Sequence, residues 1–285
     1  MTDKTPATDA NSPGRSVQRL RHPLKARLLE VRQVRQLSPH FISVTLAGEA
    51  LEGFVSASFD DHLKLILPAP GASEPVMPDF GAEGTPRDPN APRPTMRDYT
   101  PRRYDAAAGE LEIELALHGD GPAADWAAQA RPGQKIGIGG PRGSFVVPLD
   151  YDWHLLIGDE TALPAIARRL EELPAGSRAI VVVQLDDGAD RRGLSSQAAL
   201  QLHWVDGAGG TAALVAAVEQ LQLPAGEGYA WAAGESQAMA AVRKVLVGRH
   251  GLDKDHVRAS AYWKRGAAAH HENLADAPEN QAKTA

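Results

Sequence analysis

The chain has 285 residues, with 30 Lys and Arg against 36 Asp and Glu, and a net charge of −6 at pH 7. This acidic balance argues against a nucleic-acid partner, which needs a basic field. The absence of cysteine excludes disulfides, thiolate zinc sites and iron–sulfur clusters. No apolar run is long enough for a membrane span, and residues 1–13 lack the apolar segment of a signal peptide. We therefore expect a cytoplasmic protein with two domains.

The ends of the chain differ from its middle in composition. Residues 1–17 and 267–285 are small and polar, which predicts disordered tails. Between them, residues 18–150 and 151–266 follow different local patterns, and we expect one domain in each range.

The first of these ranges contains short runs in which apolar and polar side chains alternate. Residues 41–46, 62–67 and 111–117 follow this pattern, which is typical of half-buried strands. Several short strands with turn residues between them predict a small antiparallel β-barrel. Residues 70–94 are rich in Pro and Gly and predict a long loop, of the kind that is either functional or disordered.

A helix and a glycine-rich turn interrupt the strands. Pro122 suits the first turn of a helix at 123–130, whose N-terminus can receive a phosphate or can close the open end of the barrel. The turn at 139–145, with the sequence GGPRGSF, lets the backbone approach a ligand, although a tight hairpin uses glycines equally well.

After Tyr151 the pattern changes to strands alternating with helices. Strands are predicted at 154–157, 178–185, 202–205, 229–232 and 257–263, and helices at 162–173, 211–221 and 236–249. This order predicts an α/β domain with a parallel sheet covered on both faces. Ligands bind such sheets at the carboxyl ends of the strands.

Two strand-to-helix turns of this domain are candidate nucleotide loops. Residues 158–161 (GDET) and 231–236 (WAAGES) each have one glycine, whereas the dinucleotide fingerprint has three. Asp159 and Glu160 repel a pyrophosphate unless they point away from it. A structural turn is an equally good interpretation of each segment alone, but two such turns in one sheet favour a ligand cleft.

The segment RDYTPR at 97–102 combines three different binding groups. The guanidinium of Arg97 can hold a pyrophosphate, the ring of Tyr99 offers a stacking surface, and the hydroxyl of Thr100 can form one hydrogen bond. A flavin dinucleotide presents matching features, although such a triplet is also common in surface turns.

These segments together resemble a known family. The chain resembles the siderophore-interacting proteins, the ferric-siderophore reductases of the ferredoxin–NADP reductase superfamily. The matching stretches run in the family's order from about residue 20 to 266: DHLKL at 61–65, RDYTPR at 97–102, HGDGPAADW at 118–126, GPRGSF at 140–145, GDETALPAI at 158–166, AGE at 233–235 and YWKRG at 262–266.

The resemblance implies a ferredoxin reductase-like fold, an FAD-binding barrel followed by an NAD(P)-binding α/β domain. It implies that Arg97 holds the flavin pyrophosphate, that Tyr99 stacks on the isoalloxazine, and that Thr100 bonds the ring near its hydride-accepting nitrogen. Tyr99 and Thr100 are thus the catalytic candidates. Further cofactor-binding candidates are His118, Gly121, Pro122, Ala123, Ala124, Gly140, Gly143 and Ser144 for the flavin, and Asp159, Glu160, Thr161, Ala162, Gly234 and Glu235 for the nicotinamide cofactor.

Basic residues are implied to receive the ferric chelate. The candidates for a cationic triad are Lys64, Arg142 and one of Lys264 or Arg265, and the alternative is that they are separate surface cations. The family often carries a basic residue where this chain has Asp206, and Arg191 and Arg192 are alternative contacts for a 2′-phosphate. The choice among NADPH, NADH and ferredoxin as electron donor therefore stays open.

The chemistry of iron reduction also favours a flavin, by an argument that does not use the motifs of the family. A nicotinamide delivers two electrons as a hydride whereas ferric iron accepts one, so a flavin must divide the pair. The sequence shows no His or carboxylate cluster at metal-ligand spacing, so iron is expected as a substrate within its chelate. Two alternatives remain: a flavin reductase or diaphorase working with a ferredoxin-like partner, and a non-catalytic siderophore-binding protein.

Overall fold

The computed structural model describes residues 15–79, 94–117, 121–267 and 272–274. His118 and most of the three segments predicted as tails or as the long loop lie outside these residues. Among the described residues, no helix is both long and apolar enough to cross a bilayer.

The first half of the chain is mainly antiparallel sheet. Its elements are β1 (Gln18–Arg21), β2 (Ala26–Ser38), β3 (Phe41–Ala47), β4 (Leu63–Leu67), β5 (Thr95–Tyr99), β6 (Arg103–Asp105), β7 (Glu110–Ala116), α1 (Pro122–Ala128), β8 (Lys135–Gly139) and β9 (Gly143–Val146). Seven of the strands form one sheet in the order β5–β4–β8–β2–β3–β7–β6, and β1 pairs with β9. Their inward-facing Leu, Ile and Val side chains share one core with Ala123 and Ala127 of α1. The predicted antiparallel, barrel-like architecture is confirmed.

The second half is a parallel sheet with helices. Its elements are β10 (Trp153–Gly158), α2 (Leu163–Glu172), β11 (Arg178–Leu185), β12 (Ala199–Asp206), α3 (Gly210–Glu219), β13 (Gly228–Glu235), α4 (Ser236–Lys244), β14 (Val257–Trp263) and β15 (Glu272–Asn273). The strand order is β12–β11–β10–β13–β14–β15, and every pairing except the last is parallel. The predicted parallel α/β sheet is therefore confirmed.

Strand alternation gives this sheet a separate core on each face. Leu156 of β10 points to the face covered by α2, whereas Leu155 and Ile157 point to the face covered by α3 and α4. The strands are consequently buried on both sides, as is usual for parallel sheets.

Two of the differences from the sequence prediction lie in the last part of the chain. The helix predicted at 236–249 is α-helical only to Lys244, and Val245–Arg249 continues as a π-helical turn. Glu272–Asn273 falls in the segment predicted as a disordered tail but pairs antiparallel with Ser260 and Ala261. This pairing covers backbone groups that β14 would otherwise expose at the sheet edge.

The two halves are joined by both apolar and charged contacts. Phe59, from the loop before β4, is buried in the α2-side core of the parallel sheet, with its ring centroid 5.3 Å from that of Trp231. Arg102 donates to Glu171 of α2 at 2.8 Å and 2.5 Å and to Glu114 of β7 at 3.1 Å. These contacts fix the cleft that lies between the halves.

Candidate functional site

A cleft of about 710 Å³ lies between the barrel and the parallel sheet. Both halves contribute to its walls. The lining residues are Phe41, His62, Arg97, Asp98, Tyr99, Thr100, Glu114, Ala116, Gly121, Pro122, Ala123, Ala124, Glu160, Thr161, Pro164, Asp186, Tyr262, Trp263, Lys264, Arg265, Gly266 and Ala267.

The end of β5 brings the Arg–Tyr–Thr triplet to this cleft. β5 pairs antiparallel with β4, which places Tyr99 opposite Leu63 and Arg97 opposite Leu65. Burial raises the pKa of Tyr99 to about 12, although the nearby Arg97 guanidinium opposes the shift. The phenol is therefore neutral at physiological pH, and its half-buried ring presents an uncharged surface to the cleft.

The start of α1 forms the adjacent wall. Gly121, Pro122, Ala123 and Ala124 line the cleft with the triplet. A Cβ atom added to Gly121 would meet nothing within 4 Å, so the backbone there borders open space. Asp98 Oδ1 is buried and has no hydrogen-bond partner among the described residues. A ligand with hydroxyl or ring N–H donors, such as a flavin dinucleotide, can supply the hydrogen bond that this acceptor lacks.

The glycine-rich turn after β8 is placed differently. Gly140, Gly143 and Ser144 are not among the residues that line the cleft. A Cβ atom on Gly143 would lie 2.4 Å from the carbonyl oxygen of Leu20, so this glycine permits the close pairing of β1 and β9. The Ser144 hydroxyl donates to Asp61 at 2.8 Å and lies 2.8 Å from His22 Nε2. The structure thus does not bring these three candidates together with Arg97.

Asp159 joins the ends of three strands. Its carboxylate accepts hydrogen bonds from Thr161 N (3.0 Å) and Thr161 Oγ1 (2.6 Å), next to β10. It also accepts from Glu235 N of β13 at 2.9 Å and from Trp263 Nε1 of β14 at 2.8 Å. Because its acceptor sites are already used, the side chain holds the turn in shape and does not face the cleft.

The other candidates near this turn separate into two groups. Thr161 and Glu160 line the cleft, whereas Ala162, Gly234 and Glu235 do not. Ala162 is fully buried beneath Gly158, and the Glu235 carboxylate caps α4 by accepting from Gln237 N at 2.7 Å and Ala238 N at 3.0 Å. These three residues therefore help to hold the turn in shape and do not form part of the cleft wall.

Glu160 lines the cleft and has a raised pKa. Burial raises its pKa to about 8, and the neighbouring Asp159 adds to the shift. Glu160 is therefore mostly protonated at neutral pH. A neutral carboxyl at this turn removes much of the repulsion that the sequence suggested for an anionic cofactor.

Two of the four basic candidates line the cleft, and two do not. Lys264 and Arg265, just after β14, line it and are exposed. Lys64 lies next to the cleft and forms an ion pair with Asp98, with Nζ 2.7 Å from Oδ2. Arg142 follows the cis Gly140–Pro141 bond, and the preceding Gly139 pairs with Lys64 across the sheet. Lys64 and Arg142 are therefore not brought together with Lys264 and Arg265 in the wall of the cleft.

One alternative contact for the nicotinamide cofactor has an acidic partner in the other half of the chain. Arg192 was a candidate contact for a 2′-phosphate, but its guanidinium is paired with Glu114 and lies 5.1 Å from the ring centroid of Phe41. It therefore joins the two halves of the chain. Arg191 is exposed.

Sequence reasoning missed two aromatic residues of the cleft. Tyr262 and Trp263 lie at the end of β14, within the YWKRG stretch, from which only the basic residues were selected as candidates. Tyr262 donates to Asp60 at 3.1 Å. The available signal was that residues at the carboxyl end of a parallel strand commonly face a ligand.

Comparison with known proteins identifies the family of this chain. A siderophore-interacting FAD-binding domain profile matches residues 30–145, and a siderophore-interacting protein profile matches residues 151–266. The NADPH-dependent ferric-chelate reductase of Escherichia coli is 39% identical over 89% of this chain and 98% of its own length. The chain belongs to the siderophore-interacting protein family. The ferric vibriobactin reductase ViuB of Vibrio cholerae is 33% identical over 86% of this chain and 93% of its own.

Solved structures share this architecture over most of the chain. A siderophore utilization protein from T. fusca superposes with a TM-score of 0.83 at 36% identity, covering 89% of this chain and 98% of that one. The ferredoxin reductase of carbazole 1,9a-dioxygenase, at 16% identity and a TM-score of 0.59, shares the fold over 83% of this chain and 67% of that one. The predicted ferredoxin reductase-like fold is thereby confirmed.

Proposed function

We propose that this siderophore-interacting protein is an FAD-dependent reductase that uses NADPH or NADH to reduce Fe(III) in a siderophore or other ferric chelate. One observation carries the proposal: a single cleft brings Arg97, Tyr99 and Thr100 of the barrel against the Thr161 turn and the Lys264–Arg265 pair of the parallel sheet. The nicotinamide cofactor, the FAD and the ferric chelate must lie close together for electrons to pass between them, so they need a shared cleft.

The barrel, in our proposal residues 18–150, holds the FAD. Arg97 supplies a fixed, delocalised cation for the pyrophosphate, and the neutral ring of Tyr99 supplies a flat surface for the isoalloxazine. Gly121 leaves open space beside them. When bound, the flavin supplies the conversion between a two-electron hydride and single electrons. The protein's own residues bind and orient it.

The parallel sheet, residues 151–266 in our proposal, receives the nicotinamide cofactor. Thr161 and Pro164 line the cleft where β10 ends, and Asp159 holds that turn against β13 and β14. The protonated carboxyl of Glu160 can donate a hydrogen bond there, which an ionised carboxylate cannot.

The exposed cations receive the ferric chelate. Many ferric chelates are anionic, so a field from Lys64, Lys264 and Arg265 raises their local concentration at the mouth of the cleft. The iron stays in its chelator as a substrate. Because hard oxygen ligands hold Fe(III) more tightly than Fe(II), reduction weakens the complex and releases iron. The relatives named for reduction of ferric chelates and ferric vibriobactin support this substrate class.

Colour provides the test. Purified protein should be yellow, should bleach when NADPH or NADH is added without oxygen, and should regain its colour when a ferric siderophore is added. Reduction of soluble dyes without reduction of ferric chelates would favour a diaphorase that serves a ferredoxin-like partner. Chelate binding without bleaching would favour a non-catalytic binding protein, and a colourless protein that does not take up FAD would overturn the proposal.

A further inference from the structure

The helix α2 connects the two walls of the cleft. Its first turn contains Pro164, which lines the cleft together with the preceding Thr161. One helical turn later, Arg168 reaches the barrel half of the chain. Its Nη1 donates to Pro101 O at 2.8 Å and to Ser56 Oγ at 2.8 Å, and its Nη2 donates to Ser56 O at 3.1 Å.

These bonds reach the segment that forms the barrel wall of the cleft. Pro101 is buried and directly follows Tyr99 and Thr100, both of which line the cleft. The next residue, Arg102, donates to Glu171 of the same helix at 2.8 Å and 2.5 Å. Two consecutive barrel residues are thus attached to α2, immediately after the segment that holds FAD in the proposed function.

Arg168 is the more sheltered of these two attachments. Its side chain is 14% exposed, whereas that of Glu171, the partner of Arg102, is 41% exposed, so water and salt weaken the Arg102 pair more. The Ser56 hydroxyl that accepts from Arg168 gives its own hydrogen to Asp61 Oδ2 at 2.9 Å. A planar guanidinium also holds several acceptors in one fixed geometry. Arg168 therefore fixes the position of the barrel wall relative to α2.

We propose that Arg168 is a positioning residue that sets the separation between the FAD and the nicotinamide cofactor in the cleft. Arg168 is not among the residues that line the cleft. It acts by holding Pro101, at the end of the barrel wall, at a fixed distance from the first turn of α2. This inference rests on the proposed function, which assigns FAD to the barrel wall and the nicotinamide cofactor to the turn before α2.

The transfer of a hydride depends on this separation. The hydride, with its two electrons, leaves the nicotinamide, which is oxidised, and joins the isoalloxazine, which is reduced. The reacting atoms must approach to about 3–3.5 Å, and a misplacement of about 1 Å can slow such a step about a hundredfold. Transfer of electrons from reduced flavin to a small soluble oxidant such as ferricyanide needs no contact with the parallel-sheet half. Loss of Arg168 should therefore slow one half of the reaction and spare the other.

The kinetic test separates these two half-reactions in Arg168→Met, which removes the donors and keeps an apolar side chain. Reduction of the bound FAD by saturating NADPH, followed by stopped-flow absorbance without oxygen, should be about tenfold to a hundredfold slower. FAD content and the reoxidation of dithionite-reduced protein by ferricyanide should not change. Glu172→Gln is the matched control, because it removes the partner of Arg168 Nε on its own helix, at 2.9 Å, and leaves the bonds to the barrel in place.

A distance measurement tests the same inference without turnover. The chain has no cysteine, so spin labels attached through Gln33→Cys and Ala216→Cys, at exposed positions of β2 and α3, report the separation of the two halves. Pulsed electron paramagnetic resonance should give one narrow distance distribution with Arg168 in place and a broader one in Arg168→Met. If Arg168→Met does not fold, Arg168→Lys replaces it, because one ammonium group cannot hold all the acceptors in the same geometry.

Three results would overturn the inference: an unchanged rate of FAD reduction by NADPH, an equal slowing of both half-reactions, or equally narrow distance distributions with and without Arg168. A protein that gives any of these results, but still binds FAD and reduces ferric chelates, would leave the proposed function intact. A natural protein that binds no FAD would remove the basis of both.

Discussion

Lys64 Nζ lies 2.7 Å from Asp98 Oδ2, and the two residues face each other across the β4–β5 pair. One of the cations proposed to attract the ferric chelate therefore already has an acidic partner. Asp98 lines the cleft, so its charge offsets that of Lys64 at the place where the chelate would arrive.

Replacing Asp98 with Asn should strengthen chelate binding. The change leaves the positive charge of Lys64 uncompensated, and because the pair is partly exposed the gain should be modest, about 0.5–1 kcal/mol or a two- to fivefold lower KM for ferric citrate. Glu30→Gln is a matched control, since it also removes a carboxylate 2.7 Å from a lysine, Lys135. An unchanged or higher KM in Asp98→Asn, with full flavin content, would contradict the expectation.

Loss of the cations should have the opposite effect. Lys64→Ala and Arg142→Ala should each raise the KM for an anionic ferric chelate roughly fivefold, as a charge interaction of about 1 kcal/mol predicts, while flavin content stays the same. The effect should diminish at high ionic strength because salt screens exposed charges. Lys135→Ala, which removes a partly exposed lysine that does not line the cleft, should leave the KM unchanged. If Lys64→Ala and Arg142→Ala both keep the natural KM, these residues do not bind the chelate.

Asp159 should matter more for folding than for cofactor contact. In Asp159→Ala, buried donors at the ends of β10, β13 and β14 lose their acceptor, and we expect a loss of about 3 kcal/mol in the free energy of unfolding. Urea denaturation measures it. Asp253→Ala, which removes an exposed acceptor for Asp255 N, should cost no more than about 1 kcal/mol. Unchanged stability combined with a raised KM for NADPH would instead make Asp159 a direct cofactor contact.

Glu160 should make both stability and cofactor binding depend on pH. Its folded-state pKa of about 8 lies above the ordinary value of 4.5, so the folded protein holds a proton that the unfolded chain has lost. The resulting stability is complete below about pH 4.5 and is lost as the pH rises toward 8. Across that interval Glu160→Gln should remove a dependence of up to about 1.4 kcal/mol per pH unit, as measured by urea denaturation at several pH values.

The same titration should appear in the kinetics. Above pH 8, Glu160 becomes an anion in the cleft, so the KM for NADPH should rise in the natural protein and stay flatter in Glu160→Gln. Glu172→Gln, which alters an acid on the outer side of α2 paired with Arg168, is the control. Identical pH profiles for the natural protein and Glu160→Gln would show that Glu160 does not titrate in this range.

The local sequence was sufficient to predict the strands that are buried along most of their length. β11 and β14 have the predicted bounds, 178–185 and 257–263, because most residues of each strand are apolar and most are buried. β2 was missed, although it spans 13 residues, since its second half is rich in Arg and Gln and largely exposed. The hydrogen bonds of neighbouring strands hold that half extended, and no side-chain pattern reports them.

The sequence by itself also determined the family, the two-part architecture and the Arg97–Tyr99–Thr100 triplet, because each depends on residues close together in the chain. Only the tertiary structure decided that Gly143 serves strand pairing, that Arg192 joins Glu114, and that Tyr262 reaches Asp60 across 202 positions. Periodicity shows which side of an element is buried. It does not show which distant element covers that side, because the partner is selected by the packing of the whole chain.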